Sequence, residues 1–174
     1  MFTNLTQFVP SHVCLACDGC CRFKEKDSSW RPKVTGDEAA IMHQEGLAEH
    51  IFAKEMVDAQ HRIKTMRCHE GTYQCRFFDP DGNACKIYAY RPFECRLYPF
   101  ILRQRGRKIV LAAHLNCPYI QQTRPLDDFE QYVDYLKGFF RQHEVSSFLR
   151  KNKALIDTYA NYKEELEDLF TIEL

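Results

Sequence analysis

The spacing of hydrophobic positions changes along the chain, and the predicted element changes with it. Residues 1–34 carry no regular period. Pro10, Gly19 and Pro32 interrupt a Cys-rich and then a charged stretch, which reads as irregular. Thr35-Gly36-Asp37-Glu38 has the form of a capping box, with Thr35 as N-cap and Glu38 at N3. A helix is predicted from about Asp37 to Gln44 with its stop at Gly46, and a second over Ala48 to Ala59. Residues 62–68 and 72–78 then alternate as strands about Glu70-Gly71, with Tyr73, Cys75 and Phe77 on one face. Asp79-Pro80-Asp81-Gly82-Asn83 is a turn, and Ala84 to Tyr88 reads as the next strand. Arg91-Pro92 opens a short helix through Cys95, which Pro99 closes. Residues 100–105 and 108–114 form a hairpin around Arg105-Gly106, with Ile109, Leu111 and Ala113 alternating.

Past Pro125 the period becomes helical. Phe129, Tyr132, Val133, Leu136, Phe139 and Phe140 fall on one stripe, and Phe148, Leu155, Tyr159, Tyr162, Leu166 and Leu169 continue the pattern. Such stripes serve to cover a β-rich core. The expected fold class is therefore α+β: a small antiparallel sheet with Cys-rich loops, packed by C-terminal helices. The expected organisation is a core domain over residues 1–124 and a helical extension over 125–174 packed on that core.

Composition narrows the function classes. The chain has 174 residues, 45% hydrophobic and 13% aromatic, enough for a sizeable core and too many for global disorder. Lys and Arg (24) balance Asp and Glu (24), so no cationic excess grips nucleic acid, and no nucleic-acid partner is expected. No stretch approaches the roughly 18 apolar residues of a membrane span, and the first ten residues lack the charged and apolar regions of an export signal. The expected location is cytoplasmic. Nine cysteines in that reducing compartment read as metal ligands or redox groups before disulfides, and nine is an odd number.

The first cysteine cluster is Cys14-x-x-Cys17-x-x-Cys20-Cys21. Two-residue gaps let a tight loop aim successive sulfurs at one centre. Zinc accepts such thiolates, usually four in a tetrahedron. An iron–sulfur cluster accepts them too, and bacterial ferredoxins use C-x2-C-x2-C-x3-C-P. The first three positions here match that run, while Cys117-Pro118 supplies a remote Cys-Pro. The second cluster is spread over Cys75, Cys85, Cys95 and Cys117. Antiparallel pairing is expected to bring Cys75 near Cys85. Eight thiols make two four-thiolate sites, or one site with spare ligands. Cys68 stands outside the pattern and reads as a small buried hydrophobe.

These residues resemble the CxxCxxCC, or YkgJ-like, cysteine-cluster family, whose members are described as zinc- or iron-chelating domains. The resemblance covers about residues 12–120. It rests on Cys14, Cys17, Cys20 and Cys21, on Cys75-Arg76-Phe77-Phe78, on the run from Cys85-Lys86-Ile87-Tyr88 through Arg91-Pro92-Phe93-Glu94-Cys95-Arg96-Leu97-Tyr98-Pro99-Phe100, and on Cys117-Pro118. Two positions depart from the family's habit: Asp18 stands where Gly often follows the second Cys, and Tyr119 where Gly often follows Cys-Pro. The resemblance implies metal chelation, with Cys14, Cys17, Cys20, Cys21, Cys75, Cys85, Cys95 and Cys117 as the metal ligands. A related cluster occurs in flagellin lysine N-methylases, which are similar in the Cys motif and are thought to need an iron–sulfur cluster.

Among other groups, Arg91 and Arg96 flank Cys95 and are read as cofactor-binding neighbours that balance thiolate charge. Asp79 and Glu94 are the competing acidic partners for them. Tyr88 and Tyr98 are candidate donors to sulfur, set against plain core packing. His12 and His69 lie near Cys in sequence, and His114 lies three residues before Cys117. Any one could complete a site, and His114 is the candidate ligand among them, set against a satisfied core histidine. The basic tip Arg103, Arg105, Arg107 and Lys108 reads as a solvated turn. No GxGxxG loop, paired carboxylates or Ser/His/Asp set marks an enzyme, so catalysis is left open. The leading expectation is a cytoplasmic metal-binding protein with an all-cysteine iron–sulfur centre of the 4Fe-4S kind, and zinc as the alternative cofactor. The rival readings are a zinc-stapled structural or binding module without catalysis, and a cluster-dependent methyl-transfer or redox component. Metal ions are the expected partners, with a further protein or small molecule unassigned.

Overall fold

The computed structural model describes residues 5–17, 19–47, 62–68 and 71–174. The predicted helix over Ala48 to Ala59 lies outside them, as does His69. The chain divides into two compact units, one spanning Val9–Arg96 and the other Leu97–Leu174 with residues 5–8.

In the first unit, helix α1 (Ser11–Ala16) carries Cys14 and ends at Cys17, and a 3-10 turn over Gly19–Cys21 leads into strand β1 (Arg22–Phe23). Helix α2 (Gly36–Gln44) begins with the predicted capping box: the Thr35 side chain accepts the Glu38 amide while Glu38 takes the Thr35 amide. Gly46 stops it at φ +68°, a conformation that costs glycine little and other residues more. Strands β2 (Thr65–Arg67) and β3 (Tyr73–Cys75) pair antiparallel, and β1 pairs with the other edge of β3, giving the order β1-β3-β2.

The next hairpin is shorter than the alternation suggests. Strand β4 (Phe78–Asp79) meets β5 (Ala84–Cys85) across the predicted turn, with Phe78 opposite Cys85. The chain then leaves the strand for a 3-10 turn over Tyr88–Tyr90 and for helix α3 (Phe93–Leu97). The core of this unit is Phe23, Val34, Met42, Ile63, Cys75, Phe77, Phe78 and Ile87, with Tyr73 packed against it. Cys75 and Phe77 are both in this core, but the strand stops at Cys75, Arg76 and Phe77 form a turn, and Phe78 is buried beside them, so the predicted alternation does not extend past Cys75.

The second unit is built on strands β6 (Phe100–Arg105) and β7 (Lys108–His114), paired from Phe100 opposite Ala113 to Arg105 opposite Lys108. These are the predicted bounds. Helix α4 (Pro118–Thr123) follows, with Pro at its start, where the missing N–H costs nothing. Helix α5 (Asp127–Phe140) buries Phe129, Val133, Leu136, Phe139 and Phe140, most of the predicted stripe, and α6 (His143–Lys151) buries Val145 and Leu149. Phe8 enters this unit's aromatic cluster, with ring centroids 5.5 Å from Phe100, 5.2 Å from Tyr119 and 4.7 Å from Tyr132.

The last stretch corrects the helical expectation. Residues 166–172 are strand β8 (Leu166–Ile172), which pairs with β7 and completes a sheet of order β6-β7-β8. Tyr159, at φ +45°, opens a 3-10 segment over Ala160–Glu165 that leads into this strand, and a bulge shifts the register between Leu111 and Ala112. The three-residue step from Leu166 to Leu169 imitates a helix. Pairing with the open edge of β7 outweighs it, and Phe170-Thr171-Ile172 suits a strand. Among the described residues no helix is long and apolar enough to cross a membrane.

Candidate metal centre

All nine cysteines are free thiols. Seven of them lie in the first unit's matched motifs and arrive on five local structures. Cys14 and Cys17 come from α1 and its end, Cys20 and Cys21 from the 3-10 turn, Cys75 and Cys85 from β3 and β5, and Cys95 from α3. The β4–β5 turn helps fix the first loop, since Asn83 Nδ2 donates to the Ala16 carbonyl at 3.1 Å.

The thiols feel one another. Cys20 is held well above its ordinary pKa, first by a side-chain hydrogen bond with Cys21, then by burial and by the Cys21 and Cys17 charges. Burial is the first cause at Cys14, Cys85 and Cys95, and it pushes Cys75 up to about 12. At each of these four, the charge of Cys20 adds to the rise. Cys20 therefore shares its electrostatic field with Cys14, Cys17, Cys21, Cys75, Cys85 and Cys95. Among the described residues, no three of the side chains stand close enough to hold an ion as they are.

Arg91 is the counter-charge. It is buried, donates from Nη1 to Cys14 Sγ at 3.4 Å, and lies 3.7 Å from the Tyr88 ring centroid. Its charge lowers the pKa of Cys14, Cys20, Cys85 and Cys95. The acids weighed as its partners go elsewhere: Asp79 faces Lys86 at 4.0 Å, and Glu94 Oε2 accepts the Lys33 amide at 2.7 Å. Arg96 stands within the fields of Glu38, Arg91 and Cys95, and its own pKa is lowered, chiefly by burial. Tyr88 serves as the bed for Arg91.

The donor set fits a metal. Buried thiols packed against like groups are costly to ionise alone, and their raised pKa values keep them protonated. A metal cation replaces those protons and supplies the charge that burial denies them. Soft thiolates select zinc or iron–sulfur centres over hard cations.

Three other cysteine and histidine expectations separate. Cys68 is half-buried and donates to Gln74 Oε1 at 3.1 Å, a hydrogen-bonded thiol in place of the plain hydrophobe expected. Cys117 belongs to the second unit, buried directly before Pro118. In that same unit His114 is buried, with Nδ1 2.9 Å from the Tyr98 hydroxyl and Nε2 3.3 Å from Glu165 Oε2. A carboxylate can only accept, so Nε2 carries the proton and Tyr98 donates to Nδ1. Both ring nitrogens are thus engaged as in a satisfied core histidine, and Tyr98 gives its hydroxyl to His114. At the hairpin tip, Arg103 and Arg105 both pair with Asp168.

Burial lowers the His114 pKa from 6.5, against the raising effect of Glu165. A depressed histidine contributes stability above the unfolded value and loses it as pH falls below that value. Acidification below about pH 6.5 should therefore weaken the second unit, and His114→Gln should flatten that dependence. Amide exchange in β7, followed from pH 7 to 5, checks both. Equal acid loosening in the variant would assign the effect to other groups.

Glu38 is legible in the sequence as a helix cap, but its second contact is not. Glu38 is 2% exposed, and its Oε1 accepts the Phe93 amide at 2.6 Å. The capping box was a visible signal for one end of this bridge. Nothing in the spacing announces the other.

Comparison with known proteins agrees with this chemistry. The model of the CxxCxxCC family, described as a putative zinc- or iron-chelating domain, matches residues 13–124. The chain belongs to that family. It is also similar to an uncharacterized protein of Methanocaldococcus jannaschii, 26% identical over 102 residues, or 53% of this chain and 56% of the relative. The chain thus spans little more than half the length of that relative. No solved structure matches.

Proposed function

We propose that the protein holds an all-cysteine iron–sulfur centre, with Cys14, Cys17, Cys20, Cys21, Cys75, Cys85, Cys95 and Cys117 as the donor pool. The observation that carries this reading is that one unit gathers seven matched thiols whose charges act on one another through Cys20, more thiols than a single tetrahedral zinc uses. The ferredoxin-like spacing of Cys14, Cys17 and Cys20 and the remote Cys117-Pro118 support the same reading. When bound, such a centre supplies electron transfer at a potential set by charge and hydrogen bonds to sulfur. Arg91 acts on both, through its hydrogen bond to Cys14 and its charge beside the other thiols. Arg96, beside Cys95, adds a second positive group. Clustered, odd-numbered cysteines suit thiol ligands in a reducing cytoplasm better than disulfides, and we place the protein there.

The second reading is a structural zinc staple. It is favoured by the two-residue gaps, common in zinc sites, and by the adjacent Cys20-Cys21 pair, which the ferredoxin run does not contain. Anaerobic purification from iron-replete cells separates the two. The iron–sulfur reading expects brown protein with iron and acid-labile sulfide, bleached by dithionite. Colourless protein with stoichiometric zinc and no sulfide would overturn it in favour of the staple.

A further inference from the structure

The residues around α3 point to a group that sets the position of Cys95 without touching metal. Helix α3 has five residues, too few to hold itself by its own hydrogen bonds. Two carboxylates fasten its start. Glu38, from α2, accepts the Phe93 amide on Oε1, and Glu94, from α3 itself, accepts the Lys33 amide on Oε2. Glu38 is also committed on its other side. Its Oε2 accepts from the Thr35 amide at 2.9 Å and from the Thr35 hydroxyl at 3.0 Å. One buried carboxylate therefore joins the cap of α2 to the first turn of the helix that presents Cys95. Phe93, whose amide it holds, is completely buried, so that turn is anchored by packing as well.

The chemistry of the bridge calls for a carboxylate. Both oxygens receive a backbone N–H. A carboxamide has one oxygen and one NH2, so whichever way it turns, one amide proton faces another donor. Aspartate keeps two oxygens but is one methylene shorter, and it serves Thr35 at the cost of Phe93.

We propose that Glu38 is a positioning residue for the metal centre, fixing the Cys95 thiol through the Phe93 amide. This rests on the metal-binding reading above, and its test has an arm that needs no metal. In reduced, metal-free protein, the alkylation rate of Cys95 by iodoacetamide is followed by peptide mass spectrometry. Glu38→Gln loses a charge-assisted hydrogen bond and should speed Cys95 alkylation about tenfold. Thr35→Val removes the capping hydroxyl alone and should leave that rate near wild type. Cys68, outside the set, reports the rest of the unit and should not change in either variant. Should Glu38→Gln fail to fold, Glu38→Asp replaces it, with the same rise expected at Cys95.

In the metal arm, competition with a chelator for zinc(II) should show an affinity loss of about 10- to 100-fold in Glu38→Gln, the usual scale for residues that orient a ligand. An unchanged Cys95 rate would overturn the proposal. Equal rises in Glu38→Gln and Thr35→Val would overturn it too, since the effect would then belong to α2 stability. Wild-type protein that takes up no metal would sink the metal reading, while the alkylation rates would still decide whether Glu38 holds Cys95.

Discussion

Cys20→Ser should empty the metal centre, and more completely than a change at Cys14 or Cys85. The thiols are not equivalent. Cys14 and Cys85 have fewer thiol neighbours, while Cys20 shares its field with six others and forms a hydrogen bond with Cys21. Removing it takes away the sulfur that the rest have in common. A hydroxyl is a poor substitute for a soft thiolate, and a centre that lacks one donor opens to water. The expected result is loss of nearly all metal, and of sulfide if the centre contains it, measured on anaerobic protein.

Cys68→Ala is the control. It lies in the same unit, donates to Gln74 and is absent from the electrostatic set around Cys20. Its loss should keep the metal and cost about 1–2 kcal/mol, the scale of a modest truncation. A Cys20→Ser protein with full metal would remove Cys20 from the donors. Loss of metal in Cys68→Ala would show that the ligands are wrongly sorted.

Much of this arrangement is legible in the sequence because it is local. The Thr35–Glu38 box, the Gly46 stop and the hairpin around Arg105-Gly106 each depend on a few neighbouring residues, and each forms as its pattern predicts. The cysteine motifs are legible for a related reason, since spacing of two residues is itself a geometric statement. What the sequence hides is settled at a distance. Leu166 to Ile172 becomes a strand because the edge of β7 is available, a fact no window around residue 169 contains. The Glu38–Phe93 bond joins residues 55 apart, so it is invisible to any periodicity. Arg91 was visible as a charge beside Cys95, yet its hydrogen bond is to Cys14, 77 residues away. Long-range pairing of this kind follows from the packed fold.

Removing the metal should loosen the first unit while leaving the β6-β7-β8 sheet protected. The first unit has the smaller structural means to stay ordered. Its sheet strands are two or three residues long, and in the segment Ser11–Cys21 the helix and the 3-10 turn leave every side chain at least partly exposed. The second unit has strands of six and seven residues and a helix with five buried side chains. Metal binding is worth roughly 10–16 kcal/mol in zinc-finger peptides that are otherwise unfolded. A unit with the Phe23–Ile87 core needs less of that energy to fold, so the apo form should stay compact and lose order at the cysteine loops. Amide exchange of anaerobic holo and chelator-treated protein reads this directly. Residues 11–23, 75–85 and 93–96 should lose protection by about 10- to 100-fold, and β7 should not.

The amide of Cys117 gives a separate answer. Its protection should fall with that of the loops if Cys117 is a ligand, and should stay with the sheet if it is not. The pH dependence has a fixed sign. Cys14, Cys20, Cys75, Cys85 and Cys95 have raised pKa values in the metal-free fold, with burial the main cause at Cys75 and Cys95, so binding to them must expel protons. Affinity should therefore rise with pH through neutrality and continue to rise beyond the ordinary thiol value of 9.0. Affinity independent of pH would mean that thiols with raised pKa values are not the ligands. Equal loss of protection in β7 and in the cysteine loops would mean that the metal holds the whole chain rather than the first unit.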